Sequence, residues 1–361
     1  MAIEYLDFTE ETFPLIRELA SSSFGEAALK SLQKILDNPV RKEVVPAGCI
    51  AVKNGKAVCF KVSMVRRVYF GREESFGLVG GFFCKAKKGC PLSIVLEVQE
   101  RAEWNHYPCR FRFGNTCIYL TMRMNAELGA RQGVESWTEM RFGLIHPLRF
   151  LLLLFRRKVL HLPQPAPHAF KHAPDAVETQ SYAASGKTRV CRMMEFDSRF
   201  DGFWKRYLSE NSGIVVSRDI ETLTWIFGRE VRDGECVLLA SVRDADVVDG
   251  FIVLRPMPSS PDRWLIMDMI ALENAPERID LLLAGARRFL KRETSAITLE
   301  STGFPDFIQP VLKKHMPHLK KTGHNRFEWI SDDQEVVQSI EQAGNTRDSW
   351  FFGPFDGDYC I

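Results

Sequence analysis

The sequence has no apolar run near the ~20 residues that span a bilayer; its longest reaches only from Phe150 to Phe155. The start, Met1-Ala2-Ile3-Glu4-Tyr5-Leu6-Asp7, lacks the basic residues and apolar stretch of a signal peptide. None of the 9 cysteines form a CxxC pair, so with no export signal they are expected to be reduced thiols, mostly filling cores, in a cytoplasmic protein. No G-x-S-x-G, Walker loop or G-x-G-x-x-G is present, which removes the motif-based case for a serine hydrolase, a P-loop nucleotide site or a dinucleotide fold. Excess charge of either sign is also missing. With 48 basic against 46 acidic residues the net charge is +2, which argues against nucleic acid or an acidic membrane as a partner chosen by global charge.

What is present is an ordinary globular composition, 45% hydrophobic and 26% charged, in a chain long enough for two domains of about 100–200 residues. The visible break runs from Leu160 to Gly186, with Pro163, Pro165, Pro167 and Pro174 followed by Ser181, Ala183, Ala184 and Ser185. Prolines remove backbone donors and fix φ, so a linker over 159–187 is expected between domains at 1–158 and 188–331, with a tail at 332–361. In the first half Thr9 is placed to cap a helix carrying Phe13, Ile16 and Leu19, and Glu26–Leu36 follows as a second helix. Asn54-Gly55 marks a hairpin between Gly48–Lys53 and Ala57–Tyr69. A strand over Gly77–Cys84, a helix from Pro91, a strand near Arg110–Phe113, a helix near Thr116–Leu128 and paired strands to Leu144 complete the half. The second half repeats the order: two helices, a strand pair at Cys236–Val242 and Val247–Pro256, strand Trp264–Ala271, helix Pro276–Lys291, strand Ala296–Ser301, helix Phe304–His315 and a strand near Asn325–Ile330.

Four fragments give this order a likeness. Arg112-Phe113-Gly114-Asn115, then a helix ending Glu127-Leu128-Gly129-Ala130, resembles the strand–Asn–helix–"LGF" region of the GNAT (Gcn5-related N-acetyltransferase) fold. Arg218-Asp219-Ile220-Glu221-Thr222-Leu223-Thr224-Trp225, a strand ending at Asp268, and the tail Trp350-Phe351-Phe352-Gly353-Pro354-Phe355-Asp356-Gly357-Asp358 resemble segments of double-GNAT proteins from bacterial surface-polysaccharide gene clusters. The resemblance implies an α+β fold of two tandem GNAT-like domains, each a mixed, mostly antiparallel sheet flanked by helices.

It also implies acyl-CoA, acetyl-CoA being the commonest, held where a strand-to-helix turn aims backbone N–H groups and a helix dipole at the pyrophosphate. The first-half turn is Lys85 to Leu92: Gly89 is kept, Cys90 follows, and Pro91 replaces the last small residue, while Lys85, Lys87 and Lys88 supply positive charge. The second-half turn, Leu272 to Arg278, has no glycine and carries Glu273 and Glu277, so phosphate is not expected there. Asn125 stands where the family's proton-donating Tyr is usual and cannot act as an acid; Glu135, Glu139 and Tyr119 are candidates for the proton of an incoming amine. Loss of the Tyr does not exclude an enzyme, because a thioester is already activated and positioning supplies much of the rate.

The resemblance therefore points to N-acyl transfer onto a small-molecule amine, an amino sugar by family analogy. The altered turns favour instead a non-catalytic binding or scaffold protein. A third reading, aminoacyl transfer as in Fem-type ligases, is weakened by the small net charge. No metal is expected, since His168 and His172 lie among prolines. The residues leave open whether the chain acts alone or as a homodimer. Arg149 to Lys158, apolar residues framed by basic ones, is read as packed between the halves rather than against a membrane, because its apolar residues are continuous. The aromatic tail is expected to dock back into a groove.

Overall fold

The structure is a computed structural model. It describes residues 2–43, 48–103, 109–117, 131–132, 139–159, 180–244, 246–321, 326–342, 349–351 and 353–356. Within these residues the chain builds two sheets flanked by helices.

In the first half, β1 (Glu4–Asp7), β2 (Gly48–Lys53), β3 (Lys56–Phe70) and β4 (Glu73–Lys85) are joined antiparallel. Asn54 and Gly55 turn the chain between β2 and β3 with φ of 55° and 73°, the left-handed pair that a two-residue hairpin requires. β5 (Cys109–Cys117) then lies parallel to β4. Alternate residues of β2 and β3 serve opposite faces. Ile50, Val52 and Phe60 join Phe13, Ile16 and Ala20 of helix Phe13–Phe24 in one cluster. Cys49, Ala51 and Cys59 join Ile94, Val95 and Val98 of helix Leu92–Glu103 in another. A sheet covered on both faces needs the nearly unbroken apolar strands seen in the sequence.

The first helix starts at Phe13, later than a Thr9 cap would place it. Thr9 and Thr12 instead bond to each other across a preceding turn, Thr9 N–H donating to Thr12 Oγ1 at 2.9 Å. Pro14 suits the first turn because its missing N–H is not needed there.

The second sheet contains β8 (Ser181–Ser185), β9 (Thr188–Met193), β11 (Val237–Arg243), β12 (Val247–Met257), β13 (Ser260–Ala271) and β14 (Thr298–Thr302), with β10 (Ile214–Val216) leaving to join the first sheet beside β3. β8 and β9 form a hairpin turned by Gly186 at φ 57°, so the Ser/Ala/Gly end of the proline-rich segment is strand rather than linker. Helix Ser198–Glu210, capped by Asp197 accepting from Arg199 N–H at 3.0 Å, places Phe200 and Phe203 against Phe251 of β12. Helix Pro276–Glu293 buries Ile279, Leu282, Leu283, Ala286 and Phe289 on the other side. A Cβ on its Gly285 would stand 2.6 Å from Val190, so this close helix–sheet approach needs glycine.

Two strands exchange between the halves. β7 (Glu139–Leu144), from the first half, lies in the second sheet between β14 and β15 (His318–Lys321). β16 (Arg326–Ile330), from the second half, lies in the first sheet between β5 and β6 (Arg131–Gln132). Among the described residues each sheet thus owes an inner strand to the other half. Helix Pro147–Lys158 follows β7 and lies on the surface, not packed between the halves as its apolar composition suggested. At helical period only Phe150 and Leu153 of that run point inward. No helix among the described residues is long and apolar enough to cross a membrane.

Candidate functional site

The parallel strands of each half part company, and the gap between them is where a ligand can enter. In the first half β4 and β5 pair from Phe76↔Cys109 to Val79↔Phe113. Beyond that point β5 continues against β16, pairing as far as Cys117↔Arg326, and β4 runs on to Lys85. The strands form a wedge whose β4 lip is Gly80 to Lys85. The β3–β4 register slips here, Lys61 facing Phe83 but Ser63 facing Gly80, so β4 bulges at the wedge. Both glycines have a purpose in this geometry. A Cβ at Gly81 would lie 2.5 Å from the Val62 carbonyl oxygen, whereas a Cβ at Gly80 would meet no described residue within 4 Å. Gly81 allows the close strand contact, and among the described residues nothing crowds Gly80.

Behind this lip, Phe82 packs edge-on against Phe24 with centroids 5.5 Å apart, and the Cys84 thiol lies 3.0 Å from Ser23 Oγ. At its end, Lys85, Lys87, Lys88 and Gly89 are exposed and Cys90 is half-buried. Ala86 N–H donates to the Val58 carbonyl at 2.8 Å, which fixes where the turn leaves the sheet. Gly89 takes φ 82°, and the helix that follows has no acidic residue in its first turn to repel an anion. The turn thus brings together the sequence's five cofactor candidates. Cys90 packs beside Cys59, whose thiol is pushed up by burial and by the neighbouring Cys90; neither is disulfide-bonded. Tyr119, Asn125 and Glu135 lie outside the described residues. Glu139 is the first residue of β7 and belongs by pairing to the second sheet.

The second half has the same wedge and fills it. β13 and β14 pair from Arg263↔Thr298 to Leu265↔Glu300, and β13 bulges just beyond, between Ile266 and Asp268. The C-terminal segment enters there. β17 (Trp350–Phe351) pairs parallel with β10, Gly353 sits against Phe304, whose ring a Cβ at that position would approach to 3.1 Å, and Phe355 and Asp356 are buried. Arg218, with no exposed side-chain area, holds Asp268 at 3.1 Å and Asp356 at 2.9 Å. Its guanidinium lies 4.5 Å from the centroid of Phe355, and Arg66 of β3 stacks on the same ring at 5.0 Å while donating to the Phe355 carbonyl at 2.7 Å. Burial pushes both carboxyls up, and Arg218 opposes it. Three of the sequence fragments, those around Arg218, Asp268 and Asp356, therefore meet in one closed ionic cluster. Asp219 serves separately, capping the next helix through Thr222 N–H at 2.7 Å and pairing with Arg67 at 3.0 Å.

The turn after β13 carries Glu273 and Asn274 at φ 59° and 48°. Glu273 N–H is already taken by Glu210 at 3.2 Å, and Asn274 accepts from Tyr207 at 3.2 Å. A cavity of about 510 Å³ remains at this mouth, lined by Glu210 and Glu273 among others. Two carboxylates and a committed N–H make it a poor phosphate site.

A larger groove, about 1000 Å³, runs between helices Phe13–Phe24 and Ala27–Leu36 of the first half and the segment from Ile220 to Glu235 of the second. No spacing in the sequence points to this groove, since its walls lie far apart in the chain: Trp225 donates to the Lys34 carbonyl at 2.7 Å with that pair separated by 191 residues. Lys34 Nζ meets Glu230 at 2.6 Å and also donates to the Ile226 carbonyl. Arg17, Lys30, Trp225, Glu221, Glu235 and Arg255 are among the lining residues. Among the described residues no cluster of metal-binding side chains occurs.

No protein-family model matches the chain, and no curated protein is similar to it in sequence. Solved structures are similar in fold. A probable N-acyltransferase from Enterococcus faecalis V583 superposes with a TM-score of 0.57 at 10% identity, over 94% of this chain and 74% of that one. A GCN5-related N-acetyltransferase from Kribbella flavida gives 0.55 at 12% identity, over 91% and 72%. Another from Anabaena variabilis gives 0.52 at 10%, over 91% and 72%. The wedge in each half, the bulged strand beside it and these superpositions agree: the chain has the GCN5-related N-acetyltransferase fold, built twice in one polypeptide.

Proposed function

We propose that the chain transfers an acyl group from acyl-CoA to an amine, with the donor held in the first-half wedge. The observation that carries this reading is the asymmetry of the two wedges. The first has a glycine lip that no described residue fills, ending in exposed lysines, and the second is closed by Phe355 and Asp356. The edge of Gly80 to Lys85 beyond its last described pair with β5 offers N–H and C=O groups at strand spacing, which suit the amides of an extended pantetheine arm. Lys85, Lys87 and Lys88 suit its phosphates, and the helix starting at Leu92 adds the positive end of its dipole. Acyl-CoA, when bound, would supply a thioester whose carbonyl carbon accepts the amine nitrogen as its C–S bond breaks, CoA leaving as the thiol with the proton that the amine gives up.

The chain's own part is to orient the donor and to receive the amine's proton. Glu135 and Tyr119 are the candidates for that proton, Glu139 being tied by pairing to the other sheet, and Asn125 is confined to hydrogen bonding. The interdomain groove holds the acceptor in this reading. Helix Phe13–Phe24 borders it at Phe13 and Arg17 and reaches the wedge at Ser23 and Phe24. Glu221 and Glu235 in its lining suit a cationic amine, and Trp225 offers an apolar face of the kind that sugars stack on. An amino sugar is the acceptor class we would screen first.

The test is calorimetric titration of acetyl-, succinyl- and longer acyl-CoA into the full chain and into a Lys87→Ala/Lys88→Ala variant. Micromolar binding that weakens at least about tenfold in the variant, as two charge-assisted contacts imply, is expected. Absence of binding by every acyl-CoA would leave the non-catalytic binding protein, which the closed second wedge favours.

A further inference from the structure

Helix Pro147–Lys158 and the residue after it expose a set of large apolar side chains that the fold does not use. Leu148 is 79% exposed, Leu151 59%, Leu152 63%, Phe155 52% and Val159 57%. At about 100° per residue, positions 148, 151, 152, 155 and 159 fall within one stripe roughly 100° wide. Phe150 and Leu153, the half-buried members, fall on the opposite side. The same arithmetic puts Arg149 and Arg156 along one border of the stripe and Lys158 along the other, all three exposed. An apolar stripe bordered on both sides by long cationic stems lets the charges rise to headgroup level while the leucines enter the acyl boundary.

The charge flanking the helix along the chain is of one sign. From Met140 to Pro174 the sequence has no Asp or Glu, while Arg141, Arg149, Arg156, Arg157, Lys158 and Lys171 are cationic. The first turn of the helix contains no acid. A near-neutral whole chain thus carries a cationic stretch of sequence of the kind that a net charge of +2 conceals. A second copy of this chain would have to bring its own cationic helix against this one in a twofold contact through the stripe, which like charge opposes. An anionic surface has the complementary sign.

We infer that helix Pro147–Lys158 docks the protein on an anionic lipid bilayer, lying in the plane of the interface. The helix is too short to cross, and its apolar face reaches only the headgroup–acyl boundary. It follows directly after β7, an inner strand of the second sheet, so docking would fix the whole body against the membrane rather than tether it loosely. The inference does not depend on acyl transfer.

The experiment is co-sedimentation of the full chain with vesicles of phosphatidylcholine alone and with about one-third phosphatidylglycerol, at low and high sodium chloride. Binding to the anionic vesicles is expected to exceed that to neutral ones by at least tenfold and to fall with salt. Near an anionic surface each Lys or Arg is worth about fivefold in partitioning, so Arg149→Gln/Arg156→Gln/Lys158→Gln should lose about 100-fold. Leu152→Asp/Phe155→Asp should abolish binding without altering the melting temperature, both positions being exposed. Leu152→Trp should shift its emission to the blue on anionic vesicles alone. Equal sedimentation with both vesicle types, binding that survives Leu152→Asp/Phe155→Asp, or an unshifted tryptophan would each overturn the inference. So would light scattering showing a dimer that Leu152→Asp/Phe155→Asp dissociates, since the stripe would then belong to a second copy.

Discussion

If the C-terminal segment is a structural plug, Phe355→Ala should be among the most damaging single changes in the chain. Phe355 has no exposed area. Its ring contacts Phe227 with centroids 5.8 Å apart and lies beneath two guanidiniums, Arg218 at 4.5 Å and Arg66 at 5.0 Å. Truncating a buried Phe costs about 3–5 kcal/mol in transfer and cavity terms. Two desolvated cation–π contacts, each worth about 0.5–2 kcal/mol, place this site toward the upper end. A loss of about 4 kcal/mol lowers Tm by about 8–16 °C for a unit of 150–250 residues. Differential scanning calorimetry of the full chain reads this directly. Phe355→Leu, which refills much of the volume without the ring's charge-facing surface, should recover about half of the drop. A fall of under ~3 °C for Phe355→Ala would refute the claim that the plug is packed as described.

Other predictions address the remaining parts. Asp356 is pushed up to about 6 in the fold by burial, with Arg218 opposing and Asp268 adding to the rise, while an unfolded Asp titrates near ~3.9. The folded chain therefore holds this proton more tightly, and its contribution to stability falls as pH rises from about 4 through about 6; relative to Asp356→Asn, the native chain should gain Tm on acidification from pH 7 to about 5. Gly80→Leu should leave Tm within about 2 °C, since its Cβ would meet no described residue within 4 Å, yet lower acyl-CoA affinity in calorimetry by occupying the wedge. Gly81→Val should instead destabilise by about 1–3 kcal/mol, because its Cβ would collide with the Val62 carbonyl. Lys34→Met should cost about 1–3 kcal/mol in urea unfolding by leaving the partly buried Glu230 without its cation.

Local signals in the sequence were good guides to local structure. Asn54-Gly55 marks its hairpin because few residues other than Asn and Gly accept φ above zero at both positions. The turn from Lys85 to Cys90 could be located because a strand and a Pro-led helix bracket it. What the sequence did not show is who pairs with whom. β7 and β16 read correctly as strands, yet a strand's apolar alternation records that it is buried, not which sheet buries it. The closed wedge escaped for a similar reason: Arg218, Asp268 and Asp356 lie 50 and 138 residues apart along the chain from Arg218, so their convergence leaves no spacing to read. Helix Pro147–Lys158 misled through composition, because a continuous apolar run hides the fact that only two of its members need to face the protein.

The exchange of strands gives the duplicated fold a division of labour. Without β16, β5 would lose the partner that holds it beyond Phe113, and the first wedge would lose its fixed far wall. Arg66, on β3 of the first sheet, binds the plug of the second wedge through the Phe355 carbonyl. Each wedge is thus braced by the other half, the first through β16 and the second through β7 and Arg66. A half-chain ending before β16 should on this argument be unable to present the site, however well its own elements form. The closed second wedge need bind nothing to be necessary: its ionic cluster of Arg218, Asp268 and Asp356 anchors the tail and β10, and β10 in turn extends the sheet that carries the open one. The packing that closes one wedge is then what holds the other in shape.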